Sequence, residues 1–178
     1  YSMKTTTLET RYFRAGVGTV IYNTAGEVAY FERTQNPVGM WQFQQGGIDL
    51  GEQPTDTLWR ELMEEVGLTK NDFDSIVEYP HWTSYQPENT RNHPDKNRIG
   101  HTHRWFFLQL KDGVEIDLNK ATMVEASAYK WITWEDVLTS TETCKKHVYQ
   151  ALADYFKTEL VKSRHNLGTA RAVRATEN

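Results

Sequence analysis

One cysteine, Cys144, stands in 178 residues. That excludes an internal disulfide and fits a reducing compartment. No apolar run approaches the roughly 18 residues that a membrane span needs, and the first residues carry no secretory apolar segment. A cytoplasmic setting without membrane association is therefore expected. Positive charge is not in excess either. Twenty Lys and Arg against 24 Asp and Glu leave a formal charge of −4, so nothing draws the whole chain toward nucleic acid or anionic lipid. An anionic substrate would need local cations or a metal ion. What is present suits a packed core. Hydrophobic residues make up 38%, with six Trp and nine Tyr, although the mean hydropathy of −0.69 is on the polar side.

The patterning predicts one domain over residues 12–161, between an N-terminal extension, 1–11, and a basic C-terminal tail, 162–178. "GVGTVIYN" (16–23) and "EVAYFER" (27–33) read as a β-hairpin around the turn at 24–27. "MWQFQQG" (40–46) reads as one short strand entering a Gly-Gly turn. Pro54 and Gly67 bracket a helix of about 54–66, at a first helical position and at a C-cap. Strands are expected at 74–82 and 103–110, with a long polar loop at 83–102 between them, a length that is often functional. A strand at 128–134 leads into a helix, and 143–160 reads as an amphipathic helix. Strands and helices intermix without strict alternation, which implies an α/β fold with helices packed on a mixed β-sheet.

The helix after Pro54 has an acidic ridge. Glu61, Glu64 and Glu65 lie within about a third of its circumference, because positions i, i+3 and i+4 share a face. Leu58, Leu62 and Val66 form a separate apolar stripe that should face the core. Like charges at this spacing destabilise a helix by a few tenths of a kcal/mol per pair, and no Lys or Arg is expected to relieve the ridge. A solvated acidic face is the bland reading. Clustered carboxylate oxygens also suit a hard cation such as Mg²⁺ or Mn²⁺, which would offset the repulsion.

The stretch "GGIDLGEQPTDTLWRELMEEVGL" (46–68) fits the pattern G-x5-E-x7-R-E-U-x-E-E-x-G-U, where U is bulky and apolar. Gly46, Glu52, Arg60, Glu61, Leu62, Glu64, Glu65, Gly67 and Leu68 all match, by chance on the order of one in 10⁹ at a given start. The chain thus resembles the Nudix hydrolases. That resemblance implies an α/β/α sandwich and hydrolysis of a phosphoanhydride bond with Mg²⁺ or Mn²⁺. It implies metal ligation by Glu61, Glu64, Glu65 and the Gly46 carbonyl, and a structural ion pair between Arg60 and Glu52. Glu64, Glu65 or a carboxylate elsewhere would take the attacking water's proton.

"WQFQQGGID" (41–49), "IGHTHRWFFLQL" (99–110), "EASAYKWITW" (125–134) and "YFRAGVGTV" (12–20) resemble the bacterial RNA pyrophosphohydrolase and dinucleoside polyphosphate hydrolase branch. On that likeness Glu125 matches a distant metal-binding or base glutamate, and Arg14 a phosphate-contacting arginine. Arg33 stands as a further phosphate cation, and Tyr85 or Trp82 as a base platform. The expected catalytic set is Glu64, Glu65 and Glu125, and the expected substrate contacts are Arg14, Arg33 and Tyr85. The expected partner is a nucleoside polyphosphate, with the 5′ end of RNA among the candidates, and no stable protein partner is implied. Departures are Gln44 in place of the proline of W-Q-F-P-Q, and Cys144 where a base-stacking aromatic is expected. His93, His101 and His103 read as surface histidines rather than zinc ligands. Lys145 and Lys146 read as a solvated face. The alternatives are a housecleaning nucleoside triphosphate pyrophosphatase and a non-catalytic binding module on the same fold.

Overall fold

The computed structural model describes residues 10–35, 38–88 and 93–162. Eight strands form one sheet: β1 Tyr12–Tyr22, β2 Val28–Arg33, β3 Trp41–Gln42, β4 Gln44–Gly47, β5 Phe73–Glu78, β6 Thr83–Tyr85, β7 Arg98–Leu110 and β8 Ala126–Ile132. The helices are α1 Pro54–Glu65, α2 Trp134–Ser140 and α3 Lys146–Tyr155. β1 runs parallel to β7, and the other pairings are antiparallel, so the sheet is mixed as expected.

Alternation along the two central strands divides the core. Val17 and Ile21 of β1 and Phe106, Leu108 and Leu110 of β7 meet Leu58 and Leu62 of α1, and Val66 just past its end, on one face. Val20, Trp105 and Phe107 meet Trp134, Tyr149, Leu152 and Phe156 on the other. Successive strand side chains point to opposite faces, so both faces of the sheet are covered by helices. This is the expected α/β/α sandwich. Each fully buried Leu or Phe contributes about 1.5–3 kcal/mol.

Three expectations are corrected. The strand at 40–46 is split, because Phe43 is withdrawn into an aromatic cluster with Tyr30, Trp105, Trp134 and Tyr149. The chain changes pairing partner there, from β2 to β1. The interval 83–102 is not all loop. It contains β6 and the first residues of β7, and its polar sequence is accommodated because Arg98 to His103 pair with β1 while Thr83 to Tyr85 pair with β7. The helix at 143–160 is divided into one tight turn at Thr143–Lys145, α3, and a wider turn at Phe156–Leu160. Of the basic tail, 163–178 lies outside the described residues, as does 1–9 of the extension.

Candidate active site

α1 is fixed at both ends. Pro54 opens it, and the Gln53 N–H donates to the Asp56 carboxylate at 3.0 Å. Gly67 closes it at φ +74°, with its N–H on the Leu62 carbonyl at 2.8 Å. A Cβ on Gly67 would lie 2.7 Å from the Lys120 carbonyl carbon, so only glycine meets both demands. With Leu58 and Leu62 buried, the ridge of Glu61, Glu64 and Glu65 is turned toward β4 and a cleft of about 1270 Å³.

Arg60 corrects the view that no cation relieves this ridge. It bonds Glu52 through Nε and Nη2 at 2.8–3.1 Å, which is the expected ion pair. Its Nη1 also reaches Glu61 at 2.8 Å and Glu64 at 3.1 Å, and Nη2 donates to the Gly47 carbonyl at 3.0 Å. One guanidinium thus joins the loop to two carboxylates of the helix. Planar guanidinium suits this work because its donors form a fixed fork.

Glycine permits the closest approach. A Cβ on Gly46 would lie 2.1 Å from the Glu61 carboxyl carbon, so the carboxyl rests against the Gly46 backbone. A Cβ on Gly16 would lie 2.8 Å from the Gly46 oxygen. Glu65 is inside the site. Burial pushes its carboxyl up to about 9, and a hydrogen bond with Glu61 pushes in the same direction, with Glu125 adding charge repulsion. Two carboxyls in contact form a hard oxygen set that a divalent cation fits, because its charge would offset their mutual repulsion. Glu125, exposed at the rim, is brought near by the Met123 N–H, which donates to the Glu64 carbonyl at 2.8 Å, and by the Thr34 N–H, which donates to the Glu125 carbonyl at 3.1 Å.

The cleft also carries basic residues. Arg14, Arg33, Arg98 and Lys145 all line the cleft. Arg14 lies so close to Gly47 that a Cβ there would be 2.2 Å from Nη2. Lys145 is not the solvated cation expected. It is 5% exposed, donates to the Gln42 side-chain oxygen at 2.8 Å and pairs with Glu142 at 3.2 Å. Burial lowers its pKa. Only the tight turn at 143–145, invisible in the periodicity, directs it inward. Lys146 is exposed, as expected.

Tyr85 also lines the cleft but is buried, stacked with His101 and His103 at 5.3 and 5.9 Å. It is wall rather than open platform. Trp82 is half exposed under the Arg104 guanidinium and does not line the cleft. His101 and His103 are not surface histidines. They lie on β7, and burial lowers them to about 4 and about 3, so both are neutral. Among the described residues, no group of three or more His, Cys, Asp or Glu side chains is arranged as a preformed metal cage.

The NUDIX domain family model matches residues 12–152. The chain belongs to the Nudix family. An RNA pyrophosphohydrolase of Helicobacter pylori (strain P12) is 38% identical over 151 residues, covering 83% of this chain and 95% of the relative. One from Vibrio cholerae is 34% identical over 164 residues, covering 86% and 94%. The expectation of a hydrolase of this family therefore stands. Among solved structures, the Escherichia coli dihydroneopterin triphosphate pyrophosphohydrolase superposes with a TM-score of 0.64 at 20% identity, covering 79% of this chain and 97% of that one. A Caenorhabditis elegans Ap4A hydrolase gives 0.59 at 19% identity, covering 80% and 98%. At such identities the superpositions show the Nudix fold. Nudix hydrolases generally use a divalent metal ion. No helix among the described residues is long and apolar enough to cross a membrane.

Proposed function

We propose that this chain is an RNA 5′-pyrophosphohydrolase working with Mg²⁺ or Mn²⁺. The observation that carries the reading is that one cleft is lined both by the carboxylates Glu61, Glu64, Glu65 and Glu125 and by the cations Arg14, Arg33, Arg98 and Lys145. A polyphosphate chain needs both. Its terminal oxygens require fixed positive charge, and the charge on its reacting phosphoryl group would be neutralised by a cation that the carboxylates hold. The RNA assignment is supported by the 38% and 34% identical relatives that carry that activity in their names. A cytoplasmic setting agrees with the lone cysteine.

When bound by Glu61, Glu64, Glu65, Glu125 and the Gly46 carbonyl, a divalent cation supplies charge neutralisation and an acidified water. The protein's part follows from its geometry. Arg60 holds Glu61 and Glu64 against the loop. Arg14 and Arg33 hold phosphate oxygens. Water attacks a phosphorus of the 5′-triphosphate, a P–O–P bond breaks with its electron pair leaving on the departing phosphate or pyrophosphate oxygen, and the water's proton passes to Glu64, Glu65 or Glu125.

A dinucleoside polyphosphate is the second reading, favoured by one observation. Phe31, Phe43 and Tyr85, the aromatic lining residues among those described, are all buried, and Cys144 sits where a stacking aromatic is expected. Base stacking would contribute about 1–3 kcal/mol per base, so its loss leaves recognition to the phosphates. The deciding experiment measures phosphate and pyrophosphate release with Mg²⁺ from 5′-triphosphorylated RNA, diadenosine tetraphosphate and mixed nucleoside triphosphates in parallel. Preferential release from RNA is expected. Preference for the dinucleotide or for free triphosphates would replace the RNA reading by the corresponding alternative. Inactivity on all three, repeated with Mn²⁺, would favour a binding module.

A further inference from the structure

Gln44 is the residue at which this chain departs from the W-Q-F-P-Q pattern, and the structure gives it specific partners. It belongs to β4, directly opposite Thr19 of β1. Its side chain is buried, at 4% exposure, and Thr19 is 1% exposed. Thr19 Oγ1 donates to Gln44 Oε1 at 2.8 Å, and Gln44 Nε2 donates to Glu65 Oε2 at 2.9 Å. The order matters. With its oxygen occupied by the threonine hydroxyl, the amide must present its N–H₂ group to the carboxyl. Both anchoring residues sit on paired strands, so the donor's position is set by the sheet rather than by a loop.

We infer that Thr19 and Gln44 form a relay that positions the Glu65 carboxyl for the divalent cation. The inference rests on the reading of Glu65 as a cation ligand given above. One Glu65 oxygen is committed to the amide, so the carboxyl cannot rotate freely. The carboxyl also hydrogen-bonds Glu61, a second carboxylate read above as a cation ligand. A proline at position 44 has no side-chain donor, so this restraint comes with the glutamine. Gln44 and Thr19 are positioning residues, acting through Glu65. Partners of this kind orient ligands before the cation arrives, and their loss costs typically 10–100-fold in metal affinity.

A merely structural glutamine would alter melting alone, so the test reads cation binding directly. Metal-free wild type and the double variant Thr19→Val/Gln44→Met are titrated with Mn²⁺ and followed by electron paramagnetic resonance. The double variant removes both hydrogen-bonding partners together, which limits the stability cost of an orphaned buried group. Its Kd for Mn²⁺ is expected to rise about ten-fold or more, and the Mg²⁺ concentration giving half-maximal hydrolysis should rise in parallel. Thr19→Val alone should raise the Kd by a smaller factor, since the amide remains but is free to turn. Unchanged Kd in a folded double variant would overturn the relay. If that variant does not fold, Gln44→Pro serves, with the same rise expected and the same unchanged value fatal to the relay. Failure of wild type itself to bind Mn²⁺, or binding undiminished in Glu65→Gln, would instead overturn the cation-ligand reading beneath it.

Discussion

At the scale of single residues, the acidic ridge divides its labour by surroundings. Glu61 is pressed on the Gly46 backbone, Glu64 is held by Arg60, and Glu65 is enclosed beside Gln44. Glu64→Gln or Glu65→Gln keeps the side-chain shape and removes the charge. Either variant is expected to lose about 10²–10⁴-fold in kcat/KM while its circular dichroism spectrum stays that of wild type. A rate within two-fold of wild type would remove that residue from the machinery. These three glutamates were legible in the sequence because helical spacing alone places i, i+3 and i+4 on one face. Lys145 and Gln44 were not. A buried lysine and a buried glutamine acquire meaning only from the strand or turn packed against them, and no local periodicity encodes those neighbours. Tyr85 was legible as a residue near the site but not as a buried one, for the same reason.

Elements come next, and here the loop-and-helix unit behaves as one piece. Arg60 ties Glu52, Gly47, Glu61 and Glu64 together, so its loss should disturb position and stability at once. Arg60→Ala is expected to lower unfolding free energy by about 1–3 kcal/mol in urea denaturation, and activity with it. An unaltered denaturation midpoint would show that the network contributes only to catalysis. At the far end of α1, Gly67→Ala forces a side chain into the left-handed region and against Lys120, at a cost of about 1–3 kcal/mol by the same measurement. Pro54 and Gly67 marked this helix in the sequence because each has a conformational reason to sit at a terminus. The division of 40–46 at Phe43 had no such mark. It follows from an aromatic cluster assembled from four distant segments.

For the whole molecule, two desolvated histidines of β7, His103 buried and His101 half-buried, give stability a pH dependence. Their folded-state values, about 4 for His101 and about 3 for His103, lie below the ordinary 6.5. The unfolded chain therefore takes up protons first as pH falls. The stabilising contribution is complete above about 6.5 and is lost progressively as pH falls toward 3. Urea denaturation should give lower stability at pH 5 than at pH 7, with a smaller difference in His103→Gln. An equal difference in that variant would assign the acid sensitivity to other groups. The overall architecture was legible because the alternation of apolar residues in β1 and β7 and the apolar stripe of α1 each specify which face is covered. The polar start of β7 was not, since its backbone is satisfied by two neighbouring strands whose pairing joins remote parts of the chain.

That remote pairing has a consequence for biosynthesis. β1 and β7 are parallel neighbours at the centre of the sheet, with Tyr12 opposite Arg98 and Tyr22 opposite Gln109. A ribosome adding about 5–20 residues per second makes the second strand roughly 4–17 seconds after the first. For that interval β1 has only its local partners, β2 and β4, and one long edge is left without its mate. Unmated edges invite pairing with other chains. The nascent protein thus passes through a window in which association with a neighbouring copy or capture by a chaperone competes with completion of the fold, and the window closes only when Leu110 has been made.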